Sequence, residues 1–148
     1  MSTHRVKQAF ERRRCGGVSV LAIIGLSLLL VVPAYALSRF AVSVDWRLLA
    51  AAPLALSLLT FVAYRSDKRR AEAGEWRIPE STLHMAELAG GWPGAFLAQR
   101  TFRHKTSKTS YQVEFWIIVL LHQVIAADCL GGWRFTKNVI QLIKSHTA

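Results

Sequence analysis

Residues 83–108 read LHMAELAGGWPGAFLAQRTFRHKTSK, and the way this stretch sits decides the fold. From Leu83 to Ala98 it is moderately apolar and long enough for about 16 residues of helix, which at about 1.5 Å per residue reach about 24 Å, short of a hydrocarbon core of about 30 Å. Gly90-Gly91-Trp92-Pro93-Gly94 interrupts it: Pro93 removes an amide donor and the glycines loosen the backbone around it. Inside hydrocarbon such a break must be buried in protein or line a cavity. The segment either crosses a bilayer or re-enters and returns to the side it came from. Its length favours re-entry, which would bring the charged pairs at its two ends, Asp67-Lys68 and His104-Lys105, to one side.

Working outward, the flanking chain is gathered into apolar blocks. Val18–Leu37 carries no charge for about 20 residues, the length a crossing helix needs. Leu48–Tyr64 is a second, shorter block with Pro53 early in it, where proline does least harm, and with Ala51 and Ala55 placed for close helix approach. Val113–Leu130 is the third, interrupted by His122 and Gln123 and ended by Gly131-Gly132. The expected fold is all-α: a small transmembrane bundle of three spans plus a short Gly/Pro-broken or re-entrant helix. A basic head (1–17), two N-terminal spans (18–63), a membrane domain (64–130) and an interfacial amphipathic tail (131–148) divide it. The first block has a competing reading as a signal peptide, since Pro33 and Ala34-Tyr35-Ala36 resemble a cleavage region.

The formal charge of +10 would also suit a nucleic-acid binder, but here the positive residues lie between apolar blocks, as in loops on the cytoplasmic side of a membrane. Nucleic acid is therefore not an expected partner; membrane lipids are, with a homo-oligomer or another membrane protein as further partners. The positive-inside rule gives nearly the same balance whether residues 83–98 span or re-enter. Either way it places Asp67 and the N-terminus, if uncleaved, on the cytoplasmic side of a bacterial inner membrane. Two cysteines, Cys15 and Cys129, make no disulfide framework.

Charge beside hydrocarbon is costly and usually kept for function. Lys68, Arg77, His104, Lys105 and Lys108 form a candidate site for an anionic lipid headgroup or phosphate, with Asp67 and Glu80 as charge partners that fix the loops. The bland alternative is ordinary anchoring. Ala86, Gly90, Gly94 and Ala98 recur every four residues and would make a packing stripe on a continuous helix, or a backbone surface for a ligand. Glu80, His84 and Glu87, at i, i+4 and i+7, are a weak metal candidate without a fourth ligand; no cofactor is expected. His122, within an apolar span, is a functional candidate by position, and the favoured reading is a neutral imidazole bonded to a neighbouring helix. Asp67 with His104 could act as an acid–base pair on a lipid or isoprenoid, but no nucleophile motif, P-loop or dinucleotide fingerprint accompanies it.

Tyr64, Asp67-Lys68, Ala71, Arg77-Ile78-Pro79-Glu80, Leu83-His84, Gly90-Gly91-Trp92-Pro93-Gly94-Ala95, Arg103-His104-Lys105-Thr106 and Lys108, in this order and on through Phe115-Trp116, resemble the DUF1294 family of small bacterial and archaeal membrane proteins. The resemblance implies a multi-span membrane protein and supplies no activity. Some members carry an N-terminal cold-shock domain that binds single-stranded nucleic acid. The head here is too short for such a barrel, which weakens the carry-over of RNA binding and leaves a membrane-tethered nucleic-acid or cold-shock-associated protein as the second alternative, after the enzyme.

Overall fold

The structure is a computed structural model that describes residues 18–40 and 45–147; the basic head with Cys15 lies outside the described residues. All regular structure among them is helical. Helix α1 runs Val20–Phe40 and α2 runs Trp46–Ala73. A broken pair follows: α3 (Glu80–Ala86), a π-helical turn (Glu87–Gly91) and α4 (Trp92–Phe102). Helix α5 spans Thr109–Leu130 and α6 Arg134–Thr147. Three helices, over Val20–Arg39, Leu49–Ala73 and Thr109–Leu130, are long and apolar enough to cross a membrane.

Local chemistry sets the ends. Ser19 caps α1 through its hydroxyl, which accepts from the Ala22 amide at 3.2 Å. Asp45 accepts from the Arg47 amide at 2.9 Å at the start of α2. Helix α2 does not stop at Tyr64 as the sequence suggested. It continues to Ala73 because residues 65–73 are good helix formers, joined by a Lys68–Glu72 pair one turn apart at 3.8 Å. Gly74, at φ 69°, closes it in the left-handed conformation.

The broken segment is a helical hairpin. The chain turns at Gly90, whose φ of 112° leaves the helical region, while Pro93 sits in the first turn of α4, where its missing donor is harmless. Against α2 the hairpin descends and returns. Ile78 lies beside Asp67 and Glu87 beside Tyr64 on the way in. Gly94 lies beside Ser57, Gln99 beside Tyr64 and Phe102 beside Lys68 on the way out. Both ends therefore stand at the level of Asp67, and the tip stands near Leu56.

Small residues make this packing possible, but not as one stripe. A Cβ on Gly94 would fall 1.8 Å from the Ser57 carbonyl oxygen, and one on Gly91 would fall 2.0 Å from the Thr60 hydroxyl. On Gly90 it would meet only Leu56 Cδ1 at 3.8 Å. The turn at Gly90 breaks the four-residue period, so Gly91 takes the place in the seam that the sequence assigned to Gly90; Gly94 and Ala98 are buried as expected, and Ala86 is half-buried. Ala51 and Ala55 are exposed and mark no helix contact among the described residues.

Helix α1 lies along α5, where the Gln123 amide donates to the Leu29 carbonyl at 2.8 Å. Leu83, Trp92, Ala95, Phe96, Phe115 and Val119 fill the core. The outward faces of the three long helices stay apolar, with Leu21, Leu28, Leu54, Leu58, Ile117 and Leu120 all exposed. At the end of α5, Asp128 accepts from the amides of Phe135 and Thr136, at 2.8 and 3.1 Å, and so holds the start of the exposed helix α6.

Candidate functional site

The return of the hairpin to its starting level assembles the charged residues. Asp67, on α2, has no exposed surface. One of its oxygens accepts from the Ile78 amide at 3.0 Å. The other accepts from His104 Nε2 at 2.8 Å, with Lys105 Nζ at 3.5 Å and the Arg77 guanidinium at 3.8 Å. Lys105 is itself buried and bridges onward to Glu80 at 3.4 Å, and its ammonium lies 4.7 Å from the Tyr111 ring centre. Glu80 takes Lys108 on its second oxygen at 2.6 Å. Asp67, Glu80, His104 and Lys105 thus form one connected cluster tying α2, the start of α3 and the loop after α4.

Three expectations drawn from the sequence need correction. Lys68 lies outside the cluster: its ammonium donates to the Phe102 carbonyl at 2.6 Å, closing the end of α4. Lys108 is not free to meet an anion, because Glu80 holds it. Among the described residues His122 bonds to no neighbouring helix; its Nδ1 donates to the Ile118 carbonyl of its own helix at 2.8 Å. The cations named for an anion site are therefore largely matched by carboxylates, which makes the cluster a lock on the hairpin.

Glu80 reports on that lock. The Lys108 hydrogen bond, with Lys105 adding to it, holds its carboxyl below the ordinary glutamate value of 4.5. A carboxyl whose value is depressed by folding stabilises the fold above its unfolded value and loses that contribution as pH falls through the folded one. Thermal unfolding of detergent-solubilised protein should therefore drop below pH 4.5 more steeply for the native chain than for Glu80→Gln. Parallel curves would mean that Glu80 is not engaged.

A second polar group lies deeper, and sequence reasoning missed most of it. Glu87, buried in the π-helical turn, accepts hydrogen bonds from Tyr64, from Tyr111 at 3.2 Å and from His84 Nδ1 at 2.7 Å. The Tyr64 and Tyr111 hydroxyls are 2.5 Å apart, and Gln99 donates to Tyr64 at 3.1 Å. Gln112 joins the set by donating to Gln99 at 2.7 Å and to the Lys105 carbonyl at 3.1 Å. The His84 ring stacks on Tyr111, and its Nε2 comes within 3.2 Å of Glu114. That approach is off the hydrogen-bonding direction, so the buried nitrogen has no hydrogen-bond partner among the described residues. Glu80 turns instead to Lys105 and Lys108, so the Glu80, His84, Glu87 metal set does not converge. The signal that could have found the network is the recurrence of Tyr64, Glu87, Gln99, Tyr111 and Gln112 as polar side chains within or beside otherwise apolar helices.

Next to the cluster a groove of about 900 Å³ opens between α1, α4 and α5. Leu21, Ala22, Leu28, Leu29, Phe96 and Trp116 line it, and Arg100, Arg103 and Thr106 edge it at the charged end. Arg100 stacks on Phe96 with its guanidinium carbon 3.3 Å from the ring centre. Arg103 is exposed and caps α4 at φ 48°, in the left-handed region.

Residues 57–111 match the family described as "Protein of unknown function (DUF1294)". The chain is also 30% identical over 80 residues to "Uncharacterized protein YsdA" of Bacillus subtilis (strain 168), a match covering 54% of this chain and 90% of that protein. No solved structure matches.

Proposed function

The chain belongs to the DUF1294 family, whose function is unknown, so its role has to be built from its own geometry, and we propose that it is a multi-span membrane protein that holds the phosphate of an anionic lipid at its charged end. The observation that carries this reading is the groove between α1, α4 and α5, with its apolar walls and its mouth at Arg100, Arg103 and Thr106. Guanidinium groups suit phosphate oxygens because they present paired donors, and the walls below suit acyl chains. The Asp67–His104–Lys105–Glu80–Lys108 lock gives the loop carrying Arg103 a fixed place on the bundle. The gathering of Arg65, Arg69, Arg70 and Arg77 at this end supports a cytoplasmic orientation, as in a bacterial inner membrane. The rival reading, an enzyme acting on a lipid or isoprenoid, draws less support: Asp67, its natural base, is fully buried and already engaged by Ile78, His104, Lys105 and Arg77.

Arg103→Gly separates binding from folding. Glycine is the residue the left-handed conformation at position 103 favours, so thermal stability in detergent should be kept or raised. Loss of one basic contact of about 1 kcal/mol should weaken phosphatidylglycerol binding roughly fivefold, read by native mass spectrometry or in nanodiscs, with phosphatidylcholine unaffected. Inorganic phosphate as competitor tells a lipid headgroup from a free anion. Equal retention of the two lipids by the native protein would sink the proposal.

A further inference from the structure

At the other end of the bundle, the hairpin tip, α1, the start of α2 and the end of α5 line a second, partly open cavity of about 620 Å³. Leu30, Pro33, Leu54, Trp92 and Ile125 are among its walls, Ser57 and His122 bring polar side chains to it, and no Lys, Arg, Asp or Glu among the described residues lines it. An anionic or cationic headgroup would find no counter-charge there and would lose its hydration without return. The cavity has one imidazole, His122, whose ring centre stands 6.3 Å from that of Trp92. The bond from Nδ1 to the Ile118 carbonyl assigns the ring proton to Nδ1. In a neutral imidazole this leaves Nε2 with a lone pair, and Nε2 makes no hydrogen bond to another described residue. An acceptor at the edge of an uncharged apolar cavity is matched by a molecule with a long apolar body and a single neutral donor.

We infer that this cavity binds a neutral long-chain lipid bearing one hydroxyl, which donates to His122 Nε2 while its chain lies between α1 and α5. The site is independent of the anionic groove: the two share no lining residue. Cys129, a free thiol lining the cavity, is a built-in reporter. The test measures the rate at which N-ethylmaleimide alkylates Cys129 in the full-length protein, by peptide mass spectrometry, in the presence of hexadecanol or of its methyl ether. The two probes have the same chain, and only the alcohol can donate.

One hydrogen bond of about 0.5–1.5 kcal/mol corresponds to a two- to twelvefold difference in affinity, so the alcohol should protect Cys129 at several-fold lower concentration than the ether. In His122→Leu the two should protect equally. Equal protection by both probes in the native protein would overturn the inference, and that comparison needs no variant to fold. It would also be overturned if the variant kept the preference for the alcohol, or if phosphatidylglycerol protected better than either probe.

Discussion

Replacing Gly94 with leucine should leave no folded protein in membranes or detergent. The first carbon of any side chain at this position would lie 1.8 Å from the Ser57 carbonyl oxygen and 2.8 Å from the Ser57 Cα. These are backbone atoms of α2, so no rotamer change relieves the clash, and the two elements would have to separate. Separation would expose Glu87 and Gln99 from the hairpin and strip Tyr64 of both. Even Gly94→Ala should be severely destabilising, beyond the roughly 1–3 kcal/mol typical of overpacked cores. Gly25→Ala is the matched control, since nothing lies within 4 Å of the added carbon. Size-exclusion profiles and thermal unfolding in detergent read the contrast, and a Gly94→Ala protein with the native midpoint would mean that α2 and α4 do not meet here.

Asp67→Ala should be the most damaging change among the charged residues. It leaves His104 and the buried Lys105 facing an empty site, and it removes the acceptor of the Ile78 amide. Taking the only partner from a buried ion pair costs about 3–5 kcal/mol; Lys105 keeps Glu80 at 3.4 Å, so this is the upper bound of the loss. Asp67→Asn keeps the shape and an oxygen for Ile78, so it should cost less and isolate the charge contribution. Adding Lys105→Met to Asp67→Asn should recover part of the loss. If Asp67→Ala unfolds at the native temperature in detergent, the lock does not hold the hairpin.

The three long helices were legible in the sequence because predominantly apolar runs of about 17–20 residues mark where the chain is able to cross. The sequence favoured the meeting of Asp67 with His104 and Lys105 without deciding it: a broken helix of about 16 residues is short for a crossing, and only if it returns are its ends neighbours. Register was harder. A four-residue period presumes a continuous helix, and the positive φ at Gly90 shifts the packing position to Gly91. The extension of α2 beyond Tyr64 was hidden because residues 65–73 are polar, which says nothing against helix once the chain is already wound. The Tyr64–Glu87–Gln99–Tyr111 network could not be read from any one segment, since its members come from α2, both arms of the hairpin and α5. The same limit applies to Lys108, whose partner Glu80 stands 28 positions earlier.

The composition of that network bears on the order in which the protein is made. A ribosome delivers Glu87 and Gln99 before Tyr111 and Gln112 exist outside it, so the hairpin leaves synthesis with its polar interior only half matched. Tyr64 and His84 already serve Glu87, but the Gln99 carbonyl still lacks Gln112, and an unmatched amide group in hydrocarbon is unfavourable by several kcal/mol. The hairpin should therefore wait at the surface, or in the insertion machinery, until α5 arrives with the remaining hydroxyl and amide. On the proposed placement in a membrane, insertion of residues 80–102 is a late and concerted event, and a nascent chain halted before Tyr111 should leave this segment open to protease while α1 and α2 are already protected.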